Sequence, residues 1–152
     1  MPDPILFDSK TPRFGLPLLF AGQAQKEAFV NEALALTDSL MHCSVEGTLA
    51  APPTAPEEGA AWIVAAAPSG AWTGRAGAIA MRQSGNWLFA EPLEGMRIYD
   101  RSAGLYLRFT DSWQSPVAPA EPSGGTIVDA EARVAIAAII AALRTAGILS
   151  GS

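Results

Sequence analysis

The chain has little of what most catalytic and nucleic-acid-binding proteins use. It carries one cysteine, Cys43, and one histidine, His42. A lone cysteine excludes an internal disulfide and a cysteine metal cluster. Because the two residues are adjacent, a helix would point them about 100° apart, so they do not form a simple base–nucleophile pair. No Gly-x-Ser-x-Gly elbow is present for a serine triad. Pro122–Gly125 lacks the lysine and the preceding strand of a phosphate loop. Carboxylates such as Glu57, Glu58, Glu32 and Asp38 occur, as glycosidases require, but sequence does not give their separation in space. The expectation is no enzyme, no catalytic residue, no cofactor and no bound metal.

Charge is also scarce. Charged residues make up 16% of the chain, against a usual share of about 25%. Ten Lys and Arg are scattered among fifteen Asp and Glu, for a net charge of −5. With no basic run, a phosphate-tracking surface is not expected, so nucleic acid is not an expected partner. No apolar run reaches the roughly 20 residues of a membrane-spanning helix; Ala135–Ala142 comes nearest, so no membrane insertion is expected. Met1–Phe14 has no positive segment followed by an apolar run, so no signal peptide is expected and synthesis is placed in the cytoplasm. An alanine-rich, weakly charged surface suits a subunit of an assembly. A genome biased toward alanine codons gives the same composition.

What is present reads as α+β. Thr11–Pro12 and Leu16–Pro17 hold the first segment extended. From Gln25 to Met41 there is no Gly or Pro, and Ala28, Val30, Ala33, Leu34, Thr37, Leu40 and Met41 fall near helical spacing. An amphipathic helix with that buried stripe is predicted. Five short strands follow at Ala61–Ala66, Gly77–Arg82, Trp87–Ala90, Met96–Tyr99 and Leu105–Phe109, separated by Gly- and Ser-rich turns, as in an antiparallel meander. Ser115–Thr126 reads as a stiff linker with a Gly124–Gly125 hinge.

Asp129–Ala146 is the clearest helix, capped by Asp129 and stopped by Gly147. Ala132, Ile136, Ile139, Leu143 and Ala146 form a heptad seam, widened by Val134, Ile140, Ile148 and Leu149. A helix apolar on most of its circumference needs covering. It either packs back on its own domain or bundles with other copies, where isoleucine at both seam positions favours more than two chains. Ile136, Ile139, Ile140 and Leu143 are the expected oligomer contacts. The predicted organisation is therefore an extended arm at 1–14, a helix packed on a small meander at 15–114, a linker at 115–127 and an oligomerising helix at 128–152.

Four tryptophans stand out. In Gly70–Ala71–Trp72, Gly85–Asn86–Trp87 and Asp111–Ser112–Trp113 a turn is followed directly by Trp, which would enter a strand there. Such a residue either plugs the end of a small sheet or offers a flat apolar face to a sugar ring. Trp72 and Trp113 are the candidate carbohydrate contacts; Trp87, within Trp87–Phe89, reads as core.

Gly15–Leu19, Gly22–Glu27 and Asn31–Leu36 resemble the start of an uncharacterised domain family of alphaproteobacterial prophages and gene transfer agents. The resemblance continues through Leu49–Ala65, Gly70–Trp72, Ser84–Trp87 and Val128–Leu149, nearly the whole chain. Some members are similar to components of gene transfer agent head spikes, which decorate capsid vertices and help attachment to cell-surface polysaccharide. The resemblance implies a structural protein of a phage-like particle, a spike base or fibre subunit. It implies contact with other spike or capsid proteins and capsular polysaccharide as a ligand; homo-oligomers are expected, of three copies from the isoleucine seam or five if the protein plugs a capsid vertex. A stand-alone carbohydrate-binding module using exposed tryptophans is the alternative. No catalytic residues come with the resemblance.

Overall fold

The computed structural model describes residues 9–22, 24, 26–120, 123–125 and 129–150. The chain is α+β and divides into two compact units, residues 1–92 and 93–152. The break falls inside the stretch 15–114 that the sequence suggests is one domain, and the C-terminal helix belongs to the same unit as the last three strands. Most of the expected arm, residues 1–8, and part of the expected linker lie outside the described residues. Among the described residues no helix is long and apolar enough to cross a membrane.

The first unit begins with a tight reversal. Lys10 bridges Pro17, and Thr11 N–H reaches the Leu16 carbonyl at 2.9 Å. Residues 9–14 are thus one side of a reversal rather than part of a free arm. The chain then runs back along helix α1, Lys26–Met41. Three polar side chains of α1 hold that strap. The Asp38 carboxylate accepts from the N–H groups of Arg13 at 2.9 Å and Phe14 at 2.7 Å. Asn31 accepts from Leu19 N–H at 2.8 Å and donates to the Leu19 carbonyl at 3.0 Å. Glu27 accepts from Gly22 N–H at 3.1 Å. Residues 27, 31 and 38 lie on one helical face because 3.6 residues make a turn.

That arrangement reverses the expected buried stripe. The buried residues of α1 are Ala35, Asp38 and Ser39, while Ala28, Val30, Ala33, Thr37 and Met41 are exposed and Leu34 and Leu40 half-buried. The polar face is covered because the strap has backbone donors and acceptors to satisfy, and side chains on α1 satisfy them. Arg13 then fastens the strap to the rest of the unit. Its guanidinium donates to the carbonyls of Ser39 at 2.8 Å, Ser44 at 2.7 Å and Gly59 at 2.9 Å. At Gly59, with φ +80°, a Cβ would meet Pro12 Cγ at 3.0 Å.

Short strand β1 (Ser44–Val45) leads into a mixed sheet of β2 (Thr48–Leu49), β3 (Ala61–Val64), β4 (Ile79–Gln83) and β5 (Asn86–Ala90), in that order. The pair β2–β3 is parallel, so the strands are not a pure antiparallel meander. The other pairs, β3–β4 and β4–β5, are antiparallel, with Trp62 opposite Ala80 and Ala80 opposite Phe89. Ser84 (φ +48°) and Gly85 (φ +76°) close the β4–β5 hairpin, the two-residue turn whose twist matches paired strands. The Glu58 carboxylate accepts from both turn N–H groups, at 2.5 and 2.8 Å. Glu58, one of the carboxylates considered for glycoside chemistry, is occupied in holding this turn, and Asp38 in holding the strap.

The second unit contains an antiparallel meander of β6 (Arg97–Asp100), β7 (Leu105–Phe109) and β8 (Trp113–Gln114). Asp100 Oδ1 accepts from Ser102 N–H and hydroxyl, at 2.9 and 2.7 Å, and shapes the turn before β7. Helix α2, Ala130–Thr145, starts as predicted: Asp129 accepts from Ala132 N–H at 2.9 Å. It stops at Gly147, whose φ of +69° lets Ile148 N–H turn back to the Leu143 carbonyl at 2.9 Å. The Gly147 carbonyl accepts from Tyr106 N–H at 2.9 Å, which seats the helix end on β7.

Candidate functional site

The tryptophans gather in the first unit. Trp62, Trp72 and Trp87 form one cluster with Val64 and Ala80, and Phe89 packs against it. Trp72 meets Trp87 edge-on, with centroids 5.0 Å apart and planes at 85°, so a positive ring edge faces a negative ring face. Arg82 lies over Trp87 at 5.3 Å and Arg75 over Phe89 at 5.0 Å. Trp72 is 0% exposed. The expectation that it offers a face to sugar is therefore corrected: it belongs to a short 3-10 turn, Gly70–Trp72, rather than a strand, and plugs the sheet. Trp113 begins β8, is half-buried and packs against Phe109 at 5.2 Å.

The second unit presents a different surface. Along β6 and β7 burial alternates: Ile98, Asp100, Leu105 and Leu107 are buried, while Arg97, Tyr106 and Arg108 are exposed. Period-two alternation puts Arg97, Tyr99, Tyr106 and Arg108 on one face. Arg97 lies directly opposite Arg108, and Arg108 opposite Gln114, so three side chains form a row across three strands. In the adjacent row Tyr99 packs edge-on against Tyr106 at 5.1 Å. A cavity of about 430 Å³ opens over this face, lined by the row together with Tyr106, Pro116 and Ile148. Sequence reading missed this site. Its signal was the alternation in Arg97–Asp100 and Leu105–Phe109, which places both arginines and both tyrosines on one face.

The helices carry the remaining exposed apolar surface. On α2, Ile140 is 3% exposed and Leu143 half-buried, so these two expected oligomer contacts are largely covered within the single chain. Ile136 and Ile139 stay open, Ile139 at 59%, while Val134 is exposed on another side of the helix. On α1, Phe29 is 78% exposed, and Val30 and Met41 are also exposed. Cys43 is half-buried; burial pushes its thiol pKa up, and the Arg13 charge opposes this only in part. Among the described residues no group of three His, Cys, Asp or Glu side chains comes together as a metal site would require.

Residues 30–114 match the family described as "Protein of unknown function (DUF2793)". The chain belongs to the DUF2793 family. No curated protein and no solved structure matches the chain. The DUF2793 match spans most of α1, the tryptophan cluster and all strands. It includes Arg97, Tyr106, Arg108 and Gln114, and ends before Pro116 and α2. The face of β6–β8 is thus largely DUF2793 surface, completed by residues outside the matched region.

Proposed function

We propose that this DUF2793 protein is a structural subunit of a phage-like particle, a head-spike base or fibre component of a gene transfer agent. It assembles with copies of itself and with neighbouring spike or capsid proteins, and it attaches the particle to cell-surface polysaccharide. The observation that carries the assembly part is the open apolar surface of α2, where Ala132, Ile136 and Ile139, spaced four and three residues apart on one side of the helix, are all exposed. An isolated apolar side chain on a surface is ordinary, but a stripe at helical spacing is what a partner helix covers. The resemblance of Gly15–Leu19, Gly22–Glu27 and Val128–Leu149 to prophage and gene transfer agent proteins supplies the particle.

The test is to purify particles from producing cells and look for the protein. Mass spectrometry of banded particles should detect it at a small fixed ratio to the major capsid protein, and gold-labelled antibody should mark the vertices. Absence from particles in cells that express it would refute the reading.

The alternative, a stand-alone carbohydrate-binding module built on exposed tryptophans, loses one of its two contacts to the core at Trp72. The tyrosine- and arginine-bearing face of β6–β8 is a better ligand surface than either tryptophan.

A further inference from the structure

We propose that the face of β6–β8 is a binding site for a carboxylate-bearing sugar, a hexuronate unit of an acidic glycan. Its carboxylate sits between Arg97 and Arg108, and its C–H face lies on Tyr106. The ligand class rests on the attachment reading above; the site itself rests on the geometry of the second unit.

Three observations converge. The first is an electrostatic conflict. Arg97 and Arg108 face each other in register across β6 and β7, and like charges in directly opposed positions, with Cβ atoms about 5 Å apart, are destabilising. Every other arginine has a partner: Arg13, Arg133 and Arg144 donate to carbonyls, Arg75 and Arg82 pair with Glu91 and Glu58, and Arg101 is also engaged. Among the described residues the side chains of Arg97 and Arg108 have neither an ion pair nor a hydrogen bond. In a chain of net charge −5, the cavity wall holds both of these cations and no acid. Two guanidinium forks facing one gap suit a planar carboxylate, which accepts two parallel N–H bonds from each fork it meets.

The second observation is the apolar part of the wall. Tyr106 is 45% exposed, and Tyr99 braces it edge-on, while Pro116 and Ile148 rise beside the gap. A bare phosphate or sulfate would use the arginines and leave these groups unused. A pyranose carboxylate uses both, because the ring has an apolar face and polar edges. Gln114, next in the row after Arg108, offers an amide donor and acceptor for ring hydroxyls.

The third is size and access. A cavity of about 430 Å³ falls in the range of small-ligand pockets, about 300–1,000 Å³. The row Arg97–Arg108–Gln114 crosses three strands, roughly 10 Å at about 4.8 Å per strand, a length that suits one or two sugar units. The site lies on a sheet face, and β7 is paired on both sides, with β6 and β8. The edge strand here is the two-residue β8, too short to template a peptide strand of any length.

The experiment is isothermal titration of the full chain with tetragalacturonate, with its methyl ester as the uncharged control and with hexaglutamate as the acidic peptide control. Tetragalacturonate should bind, more weakly as salt rises. The methyl ester should bind at least tenfold more weakly, and hexaglutamate likewise. Arg97→Gln and Arg108→Gln should each weaken tetragalacturonate about tenfold or more, since each removes charge-assisted hydrogen bonds. Arg101→Gln should leave binding unchanged. The melting temperature of the free protein should hold or rise in Arg108→Gln, because the opposed charge is relieved. Equal binding of the methyl ester, tighter binding of hexaglutamate, no binding of tetragalacturonate, or a clear drop in melting temperature on removing either arginine would each overturn the proposal. Particle incorporation is measured separately, so a subunit found at the vertices that binds no uronate overturns this inference and leaves the proposed function standing.

Discussion

Replacing Asp38 by Ala should loosen the strap of residues 13–22 from α1. Asp38 is 1% exposed, and its carboxylate accepts from two backbone N–H groups, Arg13 at 2.9 Å and Phe14 at 2.7 Å. A hydrogen bond to a charged group contributes about 1.5–3 kcal/mol net. Arg13 is only half-buried and Phe14 is exposed, so water recovers part of the loss, and the expected cost is about 3 kcal/mol rather than the full sum. For a unit of this size, about 1 kcal/mol shifts the melting temperature by roughly 4–8 °C, so Asp38→Ala should lower it by about 10–25 °C. Asp38→Asn should cost less, because its amide oxygen still accepts one bond while its NH₂ confronts the other donor. Thermal unfolding followed by tryptophan fluorescence reads this, since Trp62, Trp72 and Trp87 all lie in the first unit. Limited trypsin digestion reads it independently, as cleavage after Arg13 should become fast. A variant that melts within about 3 °C of the parent and resists cleavage at Arg13 would refute the reasoning.

Other predictions follow from the same structure. Trp72→Ala should destabilise the protein by about 3–5 kcal/mol, the cost of emptying a buried aromatic site, and denaturant titration checks it; a stable variant with a selective loss of sugar binding would return Trp72 to the surface role. Gly147→Ala should cost about 1–2 kcal/mol because of the positive φ, with crowding added where a Cβ would meet the Gly104 carbonyl at 3.3 Å; thermal melts test it. The Cys43 thiol should react with iodoacetamide more slowly than free cysteine at pH 8, because burial raises its pKa and keeps it protonated. Its rate should climb only at pH above the ordinary thiol range, and mass spectrometry of the adduct follows it.

Much of the fold could be read from the residues because the signals were local. Asp129 and Gly147 mark the ends of α2 by their own chemistry, one as a carboxylate cap and the other as a residue that tolerates positive φ. The strands came through for the same reason: Ser84–Gly85 and Arg101–Gly104 are turn sequences, and the runs between them are short and apolar. The buried face of α1 was not legible. Periodicity ranks faces by hydrophobicity, and here the covered face is the polar one, since Glu27, Asn31 and Asp38 satisfy a neighbouring backbone that no helical pattern reveals. Trp72 failed for a related reason, as the same turn–Trp pattern places Trp113 at a strand start and Trp72 in a core plug. The paired arginines required strand register. Residues 97 and 108 become neighbours only once β6 and β7 are aligned.

The central claim is assembly through the open apolar face of α2, and the direct measurement is the mass of the full chain in solution. Sedimentation velocity from low to high micromolar concentration should show a defined homo-oligomer of three or five copies. The combined Ile136→Glu and Ile139→Glu variant, altered only at exposed positions, should sediment as a folded monomer with an unchanged melting temperature. A parent protein that remains monomeric throughout that range, or an oligomer that survives both substitutions, would contradict the account.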